Sequence, residues 1–352
     1  MRRLVLLGIG AAIVIRVVIA ARRARRTLAC RVTFAEGLRW RKKEKRLVFS
    51  DMHARKLLRL EMNNELTTIM DVDDDPSGLG WLPDGRMLVV LMCSRTLAVV
   101  DEQSATLAPW ADLSSVQPFR ANDMVMDGCG NAYVGGFGQN NLEDPGTFGA
   151  LTEITLVRAP AAPHSRATTQ TAAQHLLFPN GAVITPDGRT FLAAETFGSR
   201  ISAWDRDPVA ATLSNPRVWA MLDGCYPDGM CLDEEGALWV AICGMEHKNR
   251  LQPTLGAIAI GYLLNGKRPA GAFARVHEGG KISQCIFLRD ELGVSCMLGG
   301  ADGRTLYMSC ARSADPVTCK RAGDTNGCIT TATVAVPGAQ SVEFPDYWAG
   351  YC

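Results

Sequence analysis

The sequence predicts an all-β chain folded as a six-bladed β-propeller. Three observations lead there: a turn-plus-strand phrase that recurs along the chain, the spacing of its copies, and the lack of a capped amphipathic helix after residue 30. The copies are "PDGRMLVVLM" from Pro83, "DGCGNAYVGGF" from Asp127, "PDGRTFLAAE" from Pro186, "DEEGALWVAI" from Asp233 and "ADGRTLYMSC" from Ala301. A weaker sixth, "KKEKRLVFSD", starts at Lys42. Most copies set an acidic residue and a glycine ahead of an apolar run, the pattern of a hairpin turn delivering a buried strand. They stand about 40 to 70 residues apart, the spacing of four-stranded blades rather than of helical repeats. A closed ring of blades also explains how so many short strands avoid exposed sheet edges.

In chain order, the first element is the apolar run Leu4 to Ala21, set between Arg2-Arg3 and Arg22-Arg23-Ala24-Arg25-Arg26. It is barely long enough to span a bilayer, and Arg16 lies near enough to one end to reach the interface. Residues 1–30 therefore read as a signal peptide or membrane anchor, which would make the protein exported or membrane-anchored; without that role it would be cytoplasmic. Residues 31–318 read as the propeller. Within them the Pro/Ala/Thr-rich run Ala159 to Ala173 has no strand pattern and reads as a long loop or frayed hairpin. Residues 319–352 read as an irregular tail containing Cys319, Cys328 and Cys352, which could pair with one another in an oxidising compartment.

Composition narrows the function classes. The 352 residues are 47% hydrophobic and carry 34 glycines, which describes a filled core with many turns. The net charge of +1 hides an Arg/Lys excess in the first 60 residues, so the rest is mildly acidic. No basic stripe interleaved with aromatics follows, and a nucleic-acid partner is not expected. The 12 cysteines include no C-x-x-C pair, and most sit in apolar strand-like runs as small hydrophobes. His53, His164, His175, His247 and His277 are scattered, against a histidine-rich zinc centre, and His53 reads as structural or superficial. There is no G-x-S-x-G elbow for a serine hydrolase.

Candidate chemistry lies just ahead of the repeat turns, where the innermost strand of a blade would reach the central channel. Glu36 in "FAEGLRW", Asn180 in "FPNGAVITPDG" and Asp228 in "YPDGMCLD" are oxygen-bearing side chains followed by glycine; Arg120 and Asn122 in "RANDMVMD" occupy the same place in another blade. Each dipeptide alone is an everyday turn. Four in register imply an all-oxygen site for one divalent cation, Ca²⁺ first, with Zn²⁺, Mn²⁺ or Mg²⁺ as alternatives. The glycines would let a side chain or ligand approach closely, Gly229 leaving room beside the metal.

The phrases "EGLRW", "RLVFSDMHARKLLRL", "PSGLGWLPDGRMLVV", "NDMVMD", "FPNGAVITPDGRTFLAAETF" and "PDGMCLDEEGALWVA" resemble the gluconolactonase, senescence-marker-protein (regucalcin) and luciferin-regenerating-enzyme family over about residues 31 to 312. The resemblance implies a six-bladed propeller with one divalent metal in the channel and hydrolysis of a sugar lactone. It implies Glu36, Asn180 and Asp228 as metal ligands, Arg120 and Asn122 as substrate contacts, and Asp228 as the group that helps deprotonate water. A propeller that binds a metal or ligand without catalysis, or that hydrolyses another ester, is the alternative.

Overall fold

The computed structural model describes residues 27–138, 151–160, 167–245 and 270–339. They form six four-stranded antiparallel sheets. From inner to outer strand, blade 1 is Ala35–Arg41, Arg46–Asp51, Lys56–Glu61 and Leu66–Asp71; blade 2 is Pro76–Trp81, Met87–Leu91, Thr96–Asp101 and Thr106–Asp112. Blade 3 is Ala121–Met126, Ala132–Gly136, Thr152–Arg158 and Thr168–Leu176; blade 4 is Pro179–Ile184, Thr190–Glu195, Arg200–Arg206 and Leu213–Met221. Blade 5 is Cys225–Leu232, Leu238–Met245, Gly271–Val276 and Ile282–Leu288. Blade 6 takes Leu292–Gly299, Thr305–Ala311 and Gly327–Thr333 from the end of the chain, and its outer strand, Thr27–Val32, from the beginning. The six-bladed propeller expected from the repeat is the observed fold.

The closure of blade 6 corrects both domain boundaries. Gly327–Thr333 falls in the stretch expected to be an irregular tail, yet it pairs with Thr305–Ala311 on one side and Thr27–Val32 on the other. Its sequence, GCITTAT, is β-branched but carries no turn phrase, which is why the repeat did not reach it. The link between them holds a short helix, Pro316–Ala322, whose first turn is capped by Asp315 Oδ2 accepting from Thr318 N at 2.7 Å. Cys319 and Cys328 are not joined by the pairing considered for the tail; Cys352 lies outside the described residues.

The Ala159–Ala173 run is also partly strand. Thr168–Leu176 pairs with Thr152–Arg158 as the outer edge of blade 3, and residues 161–166 lie outside the described residues. An edge strand facing solvent needs no apolar alternation, and TTQTAAQHL shows none. Leu4 to Ala21 lies outside the described residues too; among those described, no helix is long and apolar enough to cross a membrane.

The turn phrases owe their shape to aspartate. Asp127 Oδ1 accepts from Cys129 N and Asn131 N, and Asp233 Oδ1 from Glu235 N and Ala237 N, each at 2.8 to 3.0 Å. The second oxygen of each reaches an arginine, of the next blade for Asp127 and of the same blade for Asp233. Arg206 of blade 4 pairs with Asp127 of blade 3, both side chains wholly buried, and Arg275 Nε meets Asp233 Oδ2 at 2.6 Å. Apolar layers fill the spaces between blades, with Trp239 and Phe273 between blades 5 and 6 and Tyr133 against Phe191 between blades 3 and 4.

Each inner strand breaks register with its neighbour at the same point: between Glu36 and Arg39, Pro76 and Leu79, Ala121 and Met124, Pro179 and Ala182, Pro227 and Met230, and Gly293 and Ser295. This repeated bulge re-aims the side chains near the strand's start, and bulges recur beside active sites for that reason. The glycines here answer to the next blade, not to a ligand. A Cβ on Gly181 would stand 2.7 Å from Gly229 Cα, and one on Gly229 would stand 2.6 Å from Ser295 Oγ. The expectation that Gly229 makes room for a metal is thus replaced by close packing of inner strands.

Candidate metal centre

The bulges set one side chain per blade at the same level of the channel. Glu36, Ser77, Asn122 and Asn180 are the second residues of the inner strands of blades 1 to 4, Asp228 follows Pro227 in blade 5, and Val294 completes the circle in blade 6. All six are buried. Hydroxyl groups from second strands hold the backbone beside them. Ser309 Oγ donates to Ala35 O at 2.7 Å, Ser50 Oγ to Ser77 O at 2.6 Å and Thr196 Oγ1 to Pro227 O at 2.8 Å. Thr196 Oγ1 also accepts from Asn180 Nδ2 at 3.2 Å, so one hydroxyl positions the side chain of blade 4 and the backbone of blade 5.

Charge is unbalanced here. Glu36, Asp228 and Asp123 are buried together with one guanidinium, Arg39, whose Nη2 lies 3.4 Å from Asp123 Oδ1. Arg39 is further held by the carbonyls of Leu38 and Met124. Among the described residues, three carboxylates against one arginine leave two negative charges uncompensated. Protons can supply the balance: burial, followed by the charges of Asp228 and Asp123, pushes Glu36 well above the usual carboxylate range. Burial likewise pushes Asp228 up to about 8, with Asp123 adding to the rise and hydrogen bonds from the Cys243 thiol, Gly229 N–H and the Asn180 amide opposing it. Burial next to Asp228 and Glu36 keeps Cys243 protonated.

Three atoms of the ring have no hydrogen-bond partner: Glu36 Oε2, Asp228 Oδ1 and Asn122 Nδ2. Buried polar atoms without partners are costly, and a cluster of them points to a missing ligand. Asn122 Oδ1 accepts weakly from Ser77 Oγ at 3.4 Å; rotating the amide would turn that oxygen inward. Two uncompensated charges and inward-facing oxygens fit a divalent cation. Among the described residues no group of three His, Cys, Asp or Glu has metal-binding geometry, so side-chain amides would have to complete the set.

Glu36, Asn180 and Asp228, expected as ligands, do come together: Asn180 hydrogen-bonds Asp228, and Glu36 feels its charge. Asn122 joins the ring. Arg120 stands at the rim, its Nη1 bonded to Asp75 Oδ2 at 3.1 Å. Asp123, Arg39, Ser77 and Cys243 escaped the sequence reading. Ser77-Gly78 repeats the Glu36-Gly37 dipeptide and could have been aligned with it; Cys243 gave no signal, since it sits in an apolar strand like the other thiols. It also breaks the all-oxygen expectation. His53 is buried against Phe34, ring centroids 5.2 Å apart, and burial pushes it down to about 4.

A family model described as "SMP-30/Gluconolactonase/LRE-like region" matches residues 34–270. The chain belongs to this family. Regucalcin of Gallus gallus is 23% identical over 286 residues, covering 80% of this chain and 84% of that protein. Regucalcin of Oryctolagus cuniculus is 28% identical over 162 residues, 45% of this chain and 46% of that one, so this match spans under half of the relative. Among solved structures, luciferin-regenerating enzyme superposes with a TM-score of 0.68 at 18% identity, covering 91% of this chain and 99% of the other. A calcium-binding regucalcin from Agrobacterium tumefaciens gives 0.66 at 18%, covering 89% and 96%, and a gluconolactonase from Xanthomonas campestris 0.62 at 18%, covering 89% and 90%. At such identity these structures establish the shared propeller alone. The SMP-30/gluconolactonase match spans blades 1 to 4 and reaches into blade 5, and so includes all five expected site residues.

Proposed function

We propose that this SMP-30/gluconolactonase-family chain is a divalent-metal-dependent hydrolase that opens a lactone ring. The observation that carries the reading is the buried ring with two uncompensated negative charges and partnerless atoms on Glu36, Asn122 and Asp228. Glu36, Asn180 and Asp228 would hold the cation, with Ca²⁺ the first candidate for so oxygen-rich a set and Zn²⁺, Mn²⁺ or Mg²⁺ the alternatives. When bound, a divalent cation polarises a carbonyl and acidifies water.

The chain's own groups supply the rest. Arg120, fixed by Asp75 at the rim, and Asn122 in the ring orient the lactone so that its carbonyl carbon faces Asp228. Asp228 Oδ1 takes a proton from the water that adds to this carbon, and the ring C–O bond breaks. The departing alkoxide takes that proton from Asp228, giving the hydroxy acid and restoring the carboxylate. Buried Arg39, paired with Asp123, keeps that neighbour from adding a further free charge.

The test is an assay of the purified chain on D-glucono-1,5-lactone and a panel of sugar and acyl lactones, with each cation and with EDTA. Metal-dependent turnover that Asp228→Asn lowers by at least about 100-fold, with an unchanged circular-dichroism spectrum, is the expected result. No metal-dependent turnover on any lactone would refute it.

A further inference from the structure

We infer that the lactone opened at this site carries an apolar alkyl or aryl substituent rather than a set of sugar hydroxyls. This rests on the lactone-hydrolase reading and names its substrate class. The basis is the layer of side chains immediately beyond the polar ring.

Phe34 and Phe178 lie two residues before Glu36 and Asn180, and Met52, Met92 and Phe137 are the first residues after the second strands of blades 1, 2 and 3. Backbone hydrogen bonds place them at one level: Met52 N to Phe34 O at 2.9 Å, Met92 N to Asp75 O at 3.0 Å, and Phe137 N to Arg120 O at 2.7 Å. With Val294 of blade 6 they form one continuous buried apolar cluster. It reaches blades 1, 2, 3, 4 and 6, and blade 5 joins through Tyr226, whose ring meets Phe197 at 6.2 Å. Phe137 and Phe178 touch edge to face at 4.3 Å. The polar ring is thus surmounted by an apolar collar, interrupted by Asp75 of blade 2 and Arg120 of blade 3.

Among the described residues the polar groups set into this collar are mostly engaged by the protein, Thr196 Oγ1 with Asn180 Nδ2 and Pro227 O. Arg120 is engaged by Asp75, and His53 lies against Phe34. A sugar lactone brings a hydroxyl on nearly every ring carbon, and each one left against a phenyl ring or thioether loses its water without a replacement, at roughly tenfold in affinity apiece. An alkyl or aryl substituent exchanges collar contacts for its own and loses nothing. Groups already bonded to one another leave a polyol few partners.

The experiment uses the full chain loaded with Ca²⁺ or Mn²⁺ and a single ring in graded form: D-glucono-1,5-lactone, δ-valerolactone, δ-decalactone and δ-dodecalactone. The expected result is kcat/KM rising with alkyl length, by up to about fourfold per buried methylene, with gluconolactone lowest. Phe178→Ala should flatten the rise and Phe178→Leu keep most of it, thermal melts showing that both fold. Calorimetry with two lactams that cannot be hydrolysed, gluconolactam and 6-pentyl-2-piperidinone, reads the preference without turnover; the pentyl lactam should bind at least tenfold tighter. Gluconolactone turned over fastest, with a flat alkyl series, overturns the inference and leaves the lactonase reading standing. Tighter binding of the pentyl lactam with no lactone turned over supports the apolar preference and refutes the lactonase. Gluconolactam bound as tightly as the pentyl lactam overturns the inference whatever the turnover.

Discussion

Cation binding at the central ring should release protons, and the affinity should climb steeply between pH 6 and pH 8. The Asp228 carboxyl is pushed up to about 8 by burial and by Asp123, and Glu36 is raised as well. With a value of 8, only about one molecule in a hundred has Asp228 ionised at pH 6, against half at pH 8. Since a cation binds the ionised form, apparent affinity should rise about 50-fold over that interval from Asp228 alone, with Glu36 steepening it. The stability of the metal-free protein runs the other way. Both carboxyls are raised above their unfolded values, so the stability they contribute is complete below the ordinary carboxylate range and is lost as pH rises toward 8. Saturating cation should therefore add about 2 kcal/mol more stability at pH 8 than at pH 6 at equal free concentration. Titration calorimetry in two buffers of different ionisation enthalpy counts the protons released per Ca²⁺ or Mn²⁺, and about one from Asp228, with those of Glu36 in addition, is expected at pH 7. Asp228→Asn should remove the share of about one proton that Asp228 releases. An affinity that stays flat from pH 6 to pH 8, with no protons released, would refute the charge accounting.

Other parts of the ring make separate predictions. His53 is held neutral with its value pushed down to about 4, so it should cost the fold up to about 3 kcal/mol as pH falls from 6.5 to 4; urea melts of His53→Leu should lose less over that window than the parent. Gly181→Ala places a Cβ 2.7 Å from the backbone of Gly229, which cannot give way as a side chain would, and should destabilise by about 1–3 kcal/mol; a loss under about 0.5 kcal/mol in urea would contradict the packing. Arg206→Met strands buried Asp127 and should cost about 3–5 kcal/mol in urea melts; a loss under about 1 kcal/mol would contradict the buried pairing.

Much of this architecture is legible in the sequence, for a physical reason. A turn aspartate that must accept two backbone N–H groups, followed by a buried second strand, leaves the same phrase in blade after blade; Asp127 and Asp233 show both halves of it. What escapes is whatever has no local signature. Gly327–Thr333 is recruited by pairing with Thr27–Val32 from nearly 300 residues away, a long-range register that no window of sequence contains. Arg39 reads as one more arginine of a basic stretch until its pairing with Asp123, 84 residues on, is seen. Cys243 reads as a core thiol until the bulge of the neighbouring strand turns Asp228 toward it.

The site is distinguished less by the residues that bind than by the blades where binding stops. The same bulge occurs six times, so the backbone alone would build a symmetric ring; the asymmetry is in the side chains. Blades 4, 5 and 1 present Asn180, Asp228 and Glu36, while blade 6, between the last two, presents Val294. An apolar residue between two carboxylates offers neither a hydrogen bond nor a route for water, so it raises the cost of leaving both ionised and unpaired. Blades 2 and 3, opposite, carry Ser77 and Asn122 with Asp75 and Arg120 at the rim; the one carboxylate beside them, Asp123, is paired with Arg39, so this side is close to charge-balanced. Anionic character is thus concentrated on one side of the channel and neutral hydrogen-bonding groups on the other, a division that suits a cation held against one wall and a carbonyl compound laid against the other.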